Sequence, residues 1–121
     1  METDVLLFNP PSTDGRGYTR EGRCTQKAGV WGTQWPPLSL ATAAALLRQE
    51  GRSVTLRDYP ATGHDIRSLE NDLRELRPAF AIWSTGSPTI LSDLAVARVV
   101  REHAPGCVTA VIGTHVTVRP E

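Results

Sequence analysis

Four short runs rich in apolar and β-branched residues constrain this chain more than any other feature. They are DVLLF (Asp4–Phe8), SVTLRDY (Ser53–Tyr59), AFAIWS (Ala79–Ser84) and CVTAVIG (Cys107–Gly113). Three of the four are almost continuously apolar or β-branched, as in parallel strands covered on both faces. Helical spacing fills the gaps between them. Leu40, Ala43, Ala44 and Leu47 recur at threes and fours within Leu38–Glu50, and Gly51 stands where a C-terminal cap belongs. Ile66, Leu69, Leu73 and Leu76 form a second stripe over Ile66–Leu76, ended by Pro78. Pro88–His103 carries Leu91, Leu94, Ala95 and Val99, with Ser87 and Pro88 reading as an N-cap and first helical residue.

The order β-α-β-α-β-α-β predicts an α/β fold. The expectation is a Rossmann-like or flavodoxin-like open parallel sheet in a three-layer αβα sandwich, strand order 2-1-3-4. A fifth strand would usually complete such a sheet. The 121 residues therefore read as one α/β domain over 1–121, the N-terminal part of a longer enzyme. Residues 9–37 join the first strand to the first helix, where about 2–6 residues would serve. This long loop holds Trp31, Trp35 and Cys24. Arg16, Arg20, Arg23 and Lys27 against Asp14 and Glu21 make it locally basic, suited to a phosphate or carboxylate.

Charge narrows the partners. Thirteen basic and thirteen acidic residues leave a formal net charge of +0, which gives no electrostatic case for nucleic acid or an anionic membrane. No apolar run approaches the roughly 18 residues that span a bilayer, and the N-terminus lacks a signal peptide's pattern. A cytoplasmic location is the default expectation. Two cysteines, Cys24 and Cys107, are too few for a disulfide framework.

Ligands of open α/β sheets bind beyond the carboxyl ends of the strands, where strand order reverses. Three segments meet there: Asn9–Ser12 with the long loop, Ser84–Thr89 (STGSPT), and Gly113–Thr117 (GTHVT). They offer hydroxyls, glycines for close approach and a helix N-terminus. Ser87 has two readings, a cap or a ligand contact. His115 either lines a pocket or faces solvent at a strand end. His64 and His103 read as surface residues, and Trp83 as core. Trp31 and Trp35 stand out because two indoles in one loop suggest something flat to cover. Standard signatures are missing. There is no G-x-G-x-x-G, no Walker A, no G-x-S-x-G elbow and no zinc spacing. The acidic cluster of a receiver domain is also absent after Phe8.

Taken in order, LLFNPP, REGRC, PPLSLATAAALLRQEG, STGSPT and GTHVT resemble one family along essentially the whole chain. It is the N-terminal cobalamin (vitamin B12)-binding domain of cobalamin-dependent radical S-adenosylmethionine enzymes. The resemblance implies cobalamin held between the carboxyl ends of the strands and a downstream radical S-adenosylmethionine barrel. That barrel would carry a C-x-x-x-C-x-x-C motif for a [4Fe–4S] cluster, S-adenosylmethionine and the small-molecule substrate. Methyl transfer or related radical chemistry would follow in the full-length enzyme. The Asp-x-His-x-x-Gly motif of methionine synthase and the mutases is absent, since Asn9-Pro10-Pro11-Ser12 follows the first strand. Cobalamin would therefore bind without a protein histidine on cobalt. The cofactor-binding residues this implies are Asn9, Pro10, Ser12, Trp31, Trp35, Ser84, Thr85, Ser87, Thr89, Gly113, Thr114 and His115, with no catalytic residue in the chain itself. The alternative is an α/β docking or interaction domain that has lost the cofactor.

Overall fold

The computed structural model describes residues 2–12 and 36–121, with the backbone of two short strands at 18–19 and 26–27. The elements in chain order are β1 (Val5–Asn9), β2 (Tyr18–Thr19), β3 (Gln26–Lys27), α1 (Leu38–Gln49), β4 (Val54–Asp58), α2 (Ile66–Leu76), β5 (Phe80–Ser84), α3 (Ile90–His103), β6 (Val108–Ile112) and α4 (Thr114–Val118). Four strands form one sheet in the order β4-β1-β5-β6, all parallel. In terms of the four predicted strands this is 2-1-3-4, as the sequence implies. Within the 9–37 segment, β2 and β3 pair antiparallel, a feature too short to read from two residues a side. Trp31, Trp35 and Cys24 lie outside the described residues.

Alternation along each strand divides the core in two. Leu6, Phe8, Ala81 and Trp83 face one way and pack against Leu69, Leu73 and Leu76 of α2 and Val96 and Val100 of α3. Val5, Leu7 and Val54 face the other way, against Leu40 and Ala44 of α1. The result is helix, sheet, helix. Phe8 sits at the centre of the first cluster, stacked on Trp83 at 5.5 Å and edge-on to Tyr59 at 5.8 Å between ring centroids.

Local signals account for most boundaries. The Asp65 side chain accepts from the Arg67 and Ser68 amides and starts α2, and Arg77 ends it in the left-handed region. Gly51, at φ 79°, follows the end of α1 in the expected place.

Two expectations need correction. Of the expected stripe of the third helix, Leu91, Leu94, Ala95 and Val99, only Val99 packs against the core. The buried positions are Asp93, Val96 and Val100, while Leu91 is 82% and Leu94 47% exposed. Nor does Ser87 cap that helix. Ser87–Thr89 form a single 3-10 turn, and α3 starts at Ile90 with no side-chain cap. Beyond β6 the chain also makes α4, one turn of helix where the sequence suggests an open loop. Among the described residues, no helix is long and apolar enough to cross a membrane.

Candidate site at the carboxyl ends of the strands

Strand order reverses between β1 and β5, so the switch point lies at their carboxyl ends. Asn9 ends β1 and Ser84 ends β5, and the two side chains meet: Ser84 Oγ donates to Asn9 Oδ1. Asn9 is buried, and its amide nitrogen makes no hydrogen bond among the described residues. Pro10 is fully buried behind it, and Ser12 is half-buried. Two prolines after Asn9 end the strand because neither can donate to the ladder.

The next loop is fixed from below. Thr85 Oγ1 and Thr89 Oγ1 both donate to Asp93 Oδ2, at 2.7 and 2.6 Å. The indole Nε1 of Trp83 donates to the Asp93 carbonyl at 2.9 Å. Asp93, Thr85 and Thr89 are all buried. A buried polar network closed in this way holds one backbone arrangement, since opening it strands several groups. Thr85 and Thr89 therefore shape the loop and do not present their hydroxyls to a ligand.

Gly113 completes the ledge. Its φ of 145° lies where L side chains are strained, and an added Cβ would run into the carbonyl oxygen of Thr85. The Thr85 amide in turn donates to Ile112 O at 2.9 Å. Two backbones thus touch at the ends of β5 and β6, and only glycine permits it. From the short α4 that follows, His115 Nδ1 lies 2.9 Å from Ser87 Oγ. The serine hydroxyl donates when Nδ1 is bare and accepts when Nδ1 carries the proton. Ser87 and Thr114 are exposed and His115 half-buried.

The twelve sequence-predicted positions therefore separate into three sets. Ser12, Ser84, Ser87, Thr114 and His115 form a polar rim, and Asn9 reaches it from below. Pro10, Thr85, Thr89 and Gly113 are structural supports of that rim. Trp31 and Trp35 fall outside the described residues. The residue that sequence reasoning missed is Asp93. Its signal was spacing: 89, 93, 96 and 100 trace one helical face, with Val96 and Val100 on it.

A concavity of about 510 Å³ lies away from this rim, beside β4 and α2, and is lined by Arg57, Asp58, Tyr59, His64, Asp72 and Glu75 among others. Its polar groups are largely bonded to each other. Arg57 Nε and the Tyr59 hydroxyl both donate to Asp72 Oδ2, at 3.0 and 2.7 Å. Burial, then the hydrogen bond to Asp72 and its negative charge, push the Tyr59 hydroxyl far above its ordinary range. Among the described residues, no group of three His, Cys, Asp or Glu side chains is placed to hold a metal ion. No family model matches the chain, and no match was found to a curated protein or a solved structure.

Proposed function

We propose that this chain is the cobalamin-binding domain of a radical S-adenosylmethionine enzyme. The observation that carries the reading is the polar rim at the switch point, where Asn9 and Ser84 meet beside the Gly113 backbone contact. It supports the ordered run of sequence features that resembles that family. A corrin is a broad apolar ring edged with amides, so it asks for donors and acceptors around a rim and tolerates few charges. The rim fits that demand. Ser12, Ser84, Ser87, Thr114 and His115 supply hydroxyls and an imidazole, and the amide nitrogen of Asn9 adds a donor with no hydrogen bond among the described residues. When bound, cobalamin would supply a transferable methyl group or radical chemistry. This chain's own residues would bind and orient the ring, with Asp93 keeping the 85–89 loop in place. Cys24 and Cys107, its two cysteines, are too few for a [4Fe–4S] cluster. The cluster, S-adenosylmethionine and substrate belong to a downstream barrel partner.

The test is anaerobic titration with hydroxocobalamin of this domain joined to that barrel, followed by the visible spectrum and co-elution. Binding at one equivalent is expected, weakened several-fold by Asn9→Leu, which removes the rim's amide donor. Absence of binding overturns the reading. One feature favours a docking domain instead: much of the β5/β6 sheet face is apolar and exposed. A chain that never binds the corrinoid yet associates through that face would establish this second reading.

A further inference from the structure

The sheet is covered unequally on its two faces. Strand register places Val5, Phe80 and Val108 in one row, Leu7, Ile82 and Ala110 in the next, and Ser84 beside Ile112 in a third. All point to the face that carries α1. But α1 packs against β4 and β1. Among the described residues this face is open over β6 and the start of β5: Phe80 is 46%, Val108 55% and Ile112 40% exposed, and Ala110 is exposed, while Ile82 is half-buried against the α1 cluster. The opposite face of β5 holds Ala81 and Trp83 fully buried under α2 and α3, and on β6 the same face has Val111 half-buried and Thr109 exposed. Parallel strands are normally covered on both sides. No charged residue occurs from Gly106 to Val118 to discourage association at this edge.

The occupant that fits is already part of the molecule. Helix α1 also exposes two leucines on the side turned away from its sheet. Leu40, Ala43, Ala44 and Leu47 face its own sheet. Leu38, Thr42, Ala45, Leu46 and Gln49 form the outer face, uncharged, with Leu38 60% and Leu46 58% exposed. Dimensions also agree. Twelve residues make a helix about 18 Å long and about 10 Å wide. Five-residue strands run about 16 Å, and a pair of strands offers a seat about one helix wide.

We propose that two copies of this chain associate about a two-fold axis, each seating the outer face of its α1 on the open β5/β6 face of the other. The two α1 helices then lie side by side between two sheets, and every apolar surface named above is covered. Such an interface is isologous and closes on itself. Two reciprocal seats plus the contact between helices bury on the order of 1,200 Å², where stable interfaces begin. Apart from Ser84, none of these residues belongs to the polar rim, and the substitutions that test the dimer leave the rim untouched.

Sedimentation velocity over a concentration series tests it on the full chain. The parent should move from monomer to dimer. Leu46→Glu and Val108→Lys each replace an exposed residue, so both should keep the parent's circular dichroism, yet each alone should stay monomeric. Mixed in equal amounts they should dimerise again. One seat then carries native surfaces and the other faces glutamate with lysine. A parent that remains monomeric overturns the proposal, and so does a dimer that neither variant weakens. Failure of the mixture to recover the dimer also overturns it, because a surface of another geometry would give that result.

Discussion

Asp93→Ala is the substitution that most directly tests how the site is held. The side chain is fully buried, and one of its oxygens receives both the Thr85 and the Thr89 hydroxyl. Removing it takes that acceptor from two buried hydroxyls, and a buried donor whose bond is lost costs about 1–3 kcal/mol. Thr89 Oγ1 has a second acceptor within reach, the Gly86 carbonyl at 3.3 Å, which limits its share. The small cavity left by the carboxyl group adds to the cost. The expected loss is about 2–4 kcal/mol, a large fraction of what a domain of this size has. Asp93→Asn keeps the shape and one acceptor, so its loss should be about half as great. Urea unfolding followed by Trp83 fluorescence gives both values, since that indole bonds the Asp93 carbonyl and sits in the core. A loss below about 1 kcal/mol for Asp93→Ala would refute the view that this network fixes the 85–89 loop.

Two further changes probe the ledge and the outer cavity. Gly113→Ala places a Cβ against the Thr85 carbonyl and holds alanine at φ 145°, so it should destabilise by about 2–4 kcal/mol; an unchanged urea midpoint would show that the backbone contact is not required. Tyr59→Phe removes the hydroxyl's bond to Asp72 and should cost about 1–2 kcal/mol, with Asp72 still held by Arg57. Because folding raises the Tyr59 pKa above its ordinary 10.0, the hydroxyl's contribution is complete below that pH and is lost as pH rises beyond it. The parent should therefore lose stability more steeply than Tyr59→Phe above pH 10 in thermal melts, and parallel curves would contradict the assignment.

The strands were legible because their code is local: short apolar runs bounded by Asn9-Pro10-Pro11, Gly51, Pro78 and Gly113. So were α1 and α2, whose predicted stripes match their buried faces. Helix α3 was not legible in the same way. It carries two competing stripes, and the larger residues, Leu91 and Leu94, lie on the one that faces outward. What selects the inner stripe is long-range. Trp83 and Thr85 on β5 need the Asp93 carbonyl and carboxyl, and no periodicity in residues 88–103 encodes that demand. α4 escaped for a related reason. The segment THVTV is β-branched and reads as extended, yet the Thr117 amide and hydroxyl both return to the Gly113 carbonyl and close one turn.

The same distinction decides which residues a ligand can meet. Hydroxyl-rich STGSPT reads from sequence as a binding loop with Ser87 as either a cap or a ligand contact, and in the structure its members have opposite fates. Thr85 and Thr89 are consumed inward by Asp93, and Ser87 is left outside, next to His115. Rigidity comes from the buried pair and recognition from the exposed one. Substitutions at Thr85 or Thr89 should therefore act through stability, and substitutions at Ser87, Thr114 or His115 through affinity. A ligand that reaches the ledge meets a hydroxyl whose direction depends on the His115 proton, because Ser87 donates to the bare nitrogen and accepts from the protonated one. The rim can thus offer either a donor or an acceptor at one point while the backbone beneath it, pinned by Gly113 and Asp93, stays the same.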